Sequence, residues 1–142
     1  MLIFQQRLEG HPGSPQWQLP LTAEERRRSR YRFDKAGFPP LFFQLPRGTY
    51  LQADDYLQAD SGEILQILAA PEALLHVTSD HPLALLKAAY HLGNRHVSLE
   101  VNQNYLRLAP DPVLADLLAT LDVKVDTITA PFFPERGAFH HH

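Results

Sequence analysis

Apolar and polar positions change in short bursts through the first half of the chain and settle into longer periods in the second. Leu2-Ile3-Phe4 and Leu41-Phe42-Phe43 are brief apolar runs set among Pro12, Pro15, Pro20, Pro39, Pro40 and Pro46. That pattern predicts short strands punctuated by turns. Pro46-Arg47-Gly48 and Ser61-Gly62 read as turns, the second ahead of a strand over Ile64 to Leu68. Thr22 and Glu25 have capping-box spacing, so a short helical turn is expected from Thr22 to Arg28. Beyond it Arg28, Arg30 and Arg32 alternate with Ser29, Tyr31 and Phe33, the period of a strand.

The pattern shifts at Ala69-Ala70-Pro71, read as a linker between a domain over 1–70 and one over 71–142. Leu74 to Thr78 is a strand candidate. Ser79 or Asp80 can cap a following helix that tolerates Pro82 in its first turn. Leu83, Leu86 and Tyr90 recur at helical spacing, as do Leu85, Ala88, Ala89 and Leu92, and Gly93 suits the left-handed residue that ends a helix. Strands are expected over His96 to Val101 and Tyr105 to Leu108. A second helix opens at Asp111 and Pro112 and runs through Leu121, and a last alternating strand covers Val123 to Thr129. The order is βαββαβ, the ferredoxin-like split motif. The expected class is therefore α+β, with a β-rich N-terminal domain followed by a ferredoxin-like one.

Composition narrows the chemistry. A domain of about 70 residues buries a core only marginally by itself, so each half gains from packing on another surface. The net charge of −3 argues against general attraction to nucleic acid phosphates. No apolar run approaches the length of about 18 residues that spans a membrane. The start of the chain turns polar at Gln5, so no secretory leader is expected and the expected compartment is the cytoplasm. Cysteine is absent, which excludes thiolate ligands and a cysteine nucleophile. Any transition-metal site must rest on the eight histidines, alone or joined by carboxylates or water, because imidazole is the common nitrogen ligand.

His96 follows Gly93-Asn94-Arg95, a helix-ending turn that can hold a side chain at a surface on a rigid base. Read alone, such a residue is more often an ordinary surface histidine. One histidine also makes a poor site, whereas a two-fold axis beside it would bring two together. His140, His141 and His142 form the densest local ligand cluster. A truncated purification tag is its bland reading. His91, near a helix end, suits the negative pole there. His76, among apolar strand residues, reads as a satisfied core or edge histidine. His81, at a helix start, reads as solvated, and His11 lies in a Pro/Gly loop.

Ala89-Tyr90-His91-Leu92-Gly93-Asn94-Arg95-His96 closely resembles the signature of the UreE family of urease accessory proteins. Leu21-Thr22-Ala23-Glu24-Glu25-Arg26 with the alternating arginines, and Leu45-Pro46-Arg47-Gly48, resemble that family's N-terminal half. Pro131-Phe132-Phe133-Pro134-Glu135-Arg136-Gly137-Ala138-Phe139 looks like its close before a His-containing tail, which argues for a native tail. The resemblance implies a peptide-binding-like N-terminal domain, a metal-binding C-terminal one, and a homodimer whose two His96 residues meet at the symmetry axis. It implies no enzyme but a metallochaperone that delivers Ni(2+) to apo-urease with a urease accessory GTPase. By intrinsic affinity, Zn(2+) or Cu(2+) can also occupy imidazole sites in vitro. Two departures stand out. Pro110 and Pro112 flank Asp111 where many relatives carry histidines, and the tail has only three histidines, favouring transfer over storage.

Two other classes compete. A metal-dependent hydrolase needs three ligands, an open position and a base, and the chain has no HExxH or comparable compact set. An RNA-binding βαββαβ module needs exposed aromatics on its third strand, and Asn104-Tyr105-Leu106-Arg107-Leu108 has one. Arg26, Arg27, Arg28, Arg30 and Arg32 form the only basic cluster, either a solvated strand face or a docking surface for a protein partner.

Overall fold

The computed structural model describes residues 1–10 and 12–136. The chain divides into two compact units, Met1–Ala70 and Pro71–His142. The boundary is not a loop: a strand ends at Ala69, the next begins at Pro71, and the Ala70 amide donates to the Leu21 carbonyl.

In the first unit, strands β1 (Leu2–Leu8), β2 (Trp17–Leu21), β3 (Arg30–Phe33), β4 (Leu41–Gln44), β5 (Tyr56–Ala59) and β6 (Ile64–Ala69) form one mixed sheet in the order β2-β6-β5-β1-β4-β3. β1 runs parallel to β4 and β2 parallel to β6, while the other pairs are antiparallel. Alternate residues point into a core of Phe4, Leu19, Leu21, Phe33, Leu41, Phe43, Leu45, Leu51, Leu57, Leu65 and Ile67. Two of these strands carried no clear sequence signal. β2 holds Pro20, which disqualifies a central strand, but β2 is an edge strand, where the missing N–H costs no ladder bond. β5 is short and directly follows Asp54-Asp55, polar sequence of the kind that reads as loop. The expected helical turn is α1 (Ala23–Arg26), closed by the full capping box. The Glu25 amide donates to Thr22 Oγ1 at 3.2 Å and the Thr22 amide to Glu25 Oε1 at 3.0 Å.

The second unit contains β7 (Pro71–Thr78), α2 (Pro82–Asn94), β8 (Glu100–Val101), β9 (Leu106–Leu108), α3 (Pro112–Leu118) and β10 (Lys124–Pro131). Its sheet has the order β10-β7-β9-β8, and each of its pairs is antiparallel. This is the βαββαβ arrangement expected. Leu75, Val77, Leu106 and Leu108 on one sheet face pack with Leu85, Ala88 and Leu92 of α2 and Leu118 of α3.

Four local expectations need correction. His81, not Ser79 or Asp80, is the N-cap of α2, and the Ser79 hydroxyl instead accepts the His81 amide at 3.0 Å. The strand expected from His96 begins only at Glu100, and α3 ends at Leu118 rather than Leu121. Gly93 lies inside α2, and the left-handed residue after the helix is His96 itself, at φ 55°.

Candidate metal centre

The region around His96 is built by the way α2 stops. Arg95 is the C-cap. The His96 amide donates to the Gly93 carbonyl at 3.0 Å, and the Val97 amide reaches back to the Leu92 carbonyl at 3.3 Å. That pair of bonds is a Schellman motif with His96 at its left-handed position. Val97 packs against the cluster that contains buried Leu92, completing the apolar clasp of the motif. Glycine usually takes this place, because a Cβ there costs about 1–2 kcal/mol. Histidine is among the residues that enter the left-handed region more readily than most. The result is an exposed imidazole held at a sharp corner between a helix and the chain leading into β8. Arg95 secures the same helix end, its Nη1 donating to the His91 carbonyl at 3.0 Å.

The two helical series separate cleanly in space. Leu85, Ala88 and Leu92 are buried, whereas Leu83, Leu86 and Tyr90 are 60%, 67% and 65% exposed. They form an apolar stripe on the outer face of the helix that ends at the His96 corner. Sequence periodicity contained both series but could not say which one faced outward.

The segment that follows β10 returns to this neighbourhood. After β10, Phe132 is buried, the Phe133 amide donates to Glu100 Oε1 at 2.9 Å, and the Glu135 amide donates to the Leu99 carbonyl at 2.8 Å. Glu100 is buried, accepts also from the Tyr105 hydroxyl at 3.4 Å, and lies 3.8 Å from Arg107. It is an anchor for the C-terminal segment that the sequence did not single out. The tail ligand candidates His140, His141 and His142 lie outside the described residues, as does His11.

The remaining histidines have other occupations. His76 Nδ1 accepts from Arg107 Nε at 3.1 Å, and its ring lies 4.9 Å from that of Tyr105, a satisfied strand histidine. Nδ1 as acceptor places the ring proton of the neutral form on Nε2. His81 is exposed, with Nε2 3.7 Å from Asp122 Oδ2. His91 packs its ring edge-on against Tyr90 at 5.5 Å. Asp111, flanked by the two prolines, is the N-cap of α3, and one oxygen accepts the amides of Val113 at 2.8 Å and Leu114 at 3.1 Å. Among the described residues, no three His, Cys, Asp or Glu side chains stand close enough together to hold a metal ion. Among them, too, no helix is long and apolar enough to cross a membrane.

Comparison with known proteins covers the whole chain. Residues 4–70 match the family profile described as UreE urease accessory protein, N-terminal domain, and residues 72–142 match that of the C-terminal domain. The urease accessory protein UreE of Microcystis aeruginosa is 50% identical over 149 aligned positions, covering 100% of this chain and 94% of that protein. That of Nostoc sp. strain PCC 7120 is 47% identical, covering 86% of this chain and 84% of its own, and that of Nitrosococcus oceani is 43% identical, covering 100% and 86%. These relatives are named accessory proteins, not enzymes, and with both halves matched the chain belongs to the UreE family of urease accessory proteins.

Proposed function

We propose that this chain is a cytoplasmic metallochaperone that carries Ni(2+) for urease assembly as a homodimer, with His96 of each copy contributing to one shared site. The observation that carries the reading is the corner itself: a histidine in the position glycine normally fills, at the end of a helix whose outer face exposes Leu83, Leu86 and Tyr90. An apolar stripe of this kind is covered in soluble proteins by a partner. A two-fold axis along it pairs like residues, so each single ligand becomes two. The absence of a three-ligand cluster among the described residues agrees with a site completed from a second copy and from the tail.

His140 to His142 are the supplementary ligands in this reading. Glu135 is bonded to Leu99, which follows His96 by three residues, and His140 follows Glu135 by five. Contour lengths of about 11 Å and 18 Å therefore suffice to bring tail and corner together. Nickel is then held by neutral imidazoles, which exchange with incoming ligands, a property suited to handing the ion on. The receiving partners are the urease accessory GTPase and the apo-urease complex. Zn(2+) and Cu(2+) compete for the same imidazoles in vitro.

Sedimentation of the full chain with calorimetric nickel titration tests this directly. The expected result is twice the monomer mass and a tight site shared between two chains. A monomer that binds nickel equally tightly would overturn it.

A further inference from the structure

The basic cluster of the first unit is not a uniformly solvated face. Arg26 is buried at 1% exposure, Arg27 pairs with Glu24 at 3.3 Å, and the Arg28 guanidinium lies 4.3 Å above the Tyr31 ring. Arg30 and Arg32 are exposed on β3, the edge strand of the six-stranded sheet. Arg32 pairs with Asp34 at 3.3 Å, and among the described residues no carboxylate stands within ion-pair distance of Arg30. Charge is concentrated here. Residues 24–35 hold six Lys/Arg against three Asp/Glu, so the rest of the chain holds seven against thirteen.

The backbone points the same way as the charge. β3 and β4 pair with Arg30 opposite Gln44 and Arg32 opposite Phe42. The Leu45 amide donates to the Ser29 carbonyl at 2.9 Å, which sets the phase of the ladder. Bonded and non-bonded pairs alternate along an antiparallel ladder. Tyr31 and Phe33 therefore exchange their bonds with β4, while Arg30 and Arg32 turn both N–H and C=O outward. The other side of β4 agrees, since the Pro40 carbonyl there accepts from Leu2 of β1. The edge thus offers two backbone docking positions, each bearing a guanidinium on one face, while the half-exposed Tyr31 ring lies on the opposite face beside Phe33.

We propose that β3 is a docking edge for an extended acidic segment of a partner protein, which adds as a further strand and sets alternate carboxylates against Arg30 and Arg32. Residues two apart on a strand share a face about 7 Å apart, so Asp or Glu at every second position meets both arginines. Main-chain bonds supply affinity in strand addition and the side-chain pattern supplies selectivity. The exposed Arg32–Asp34 pair presents little obstacle, because such a pair contributes almost nothing in water. The inference needs neither nickel nor the dimer.

The test uses the metal-free full chain and a fluorescein-labelled ten-residue peptide of alternating Glu and Val, read by anisotropy. The peptide should bind with an affinity that falls as salt rises. The double variant R30E/R32E should weaken it by about tenfold or more. N-methylating alternate peptide amides, which removes backbone donors without altering charge or protein, should weaken it by about as much. A Lys–Val peptide should not bind. Unchanged affinity in the double variant overturns the proposal. So does indifference to N-methylation, or oligo(dT) binding as tightly as the peptide, either of which marks a mere polyanion patch. Self-association of the chain that R30E/R32E abolishes also overturns it, because a second copy then occupies the edge.

Discussion

The Val97 amide donates to the Leu92 carbonyl at 3.3 Å, across the end of α2. That bond and its apolar clasp force the residue before Val97 into the left-handed region, and that residue is His96, at φ 55°. A strained backbone at a candidate ligand is a reason to ask what the strain serves. Here it accompanies a side chain left exposed at the helix end.

His96→Gly should therefore separate stability from function. Glycine at this corner removes the left-handed penalty, so H96G should be more stable than H96A by about 1 kcal/mol. H96A itself should differ from the parent by less than about 1 kcal/mol, because an exposed side chain leaves no cavity. Both should lose most nickel affinity in a chain ending at Phe139. Urea unfolding and calorimetry on the same samples give the two readings. Parent-like nickel binding in H96G would falsify the assignment of His96 as the central ligand.

The outer stripe of α2 should control association. Leu86→Asp sets a charge on the exposed apolar face without touching Leu85, Ala88 or Leu92. The fold should persist by circular dichroism, while sedimentation at micromolar concentration shows monomer and nickel affinity falls. If the variant stays dimeric, the two-fold axis lies elsewhere.

Removing His140 to His142 should reduce stoichiometry or affinity for nickel without abolishing binding. A flexible tail loses conformational entropy when it ligates, which limits its share. Complete loss on truncation would move the core site from His96 to the tail. In either chain, nickel affinity should fall as the medium is made acid, because protons compete for imidazole nitrogen.

Acid should also weaken the first unit through Glu25. Burial by itself pushes this carboxyl up, but the Lys35 hydrogen bond, the Thr22 amide and the Lys35 charge together bring it below its ordinary value of 4.5. A depressed carboxyl stabilises the folded state above its unfolded pKa, and that contribution drains away as pH falls through the lower folded value. Lys35 Nζ lies 2.7 Å from Glu25 Oε2, with both side chains partly exposed, so the effect is modest. Glu25→Gln keeps a capping-box residue and loses the charge. Its melting temperature should lie below the parent's at neutral pH and converge with it as the pH falls through the lowered folded value and the parent carboxyl protonates. Parallel melting curves across that range would show the Lys35 pair to be inert.

Asp111→Ala should cost about 1 kcal/mol, the usual loss for an N-cap whose oxygen accepts two amides. Nickel binding should not change, since that carboxylate is committed to the start of α3. A loss of nickel affinity at unchanged stability would show Asp111 to be a ligand.

Local pattern alone determined much of this protein. The Thr22–Glu25 capping box, the alternation of β3, and the βαββαβ order after Pro71 are written in short-range spacing, because period and capping depend on neighbours along the chain. The absence of cysteine is what turned the proposed metal site toward histidine. Other features belong to tertiary structure. β2 is a strand despite Pro20 because it lies at a sheet edge, a placement set by pairing with β6. Leu83, Leu86 and Tyr90 face outward because Leu85, Ala88 and Leu92 meet the sheet, and two series of equal periodicity cannot be ranked without that partner. Gly93 looked like the residue that ends α2, yet the helix runs on to Asn94, and the packing of Val97 against the Leu92 cluster gives the left-handed position to His96. The residue was visible from the start, while the corner that presents it depends on contacts that only the folded chain makes.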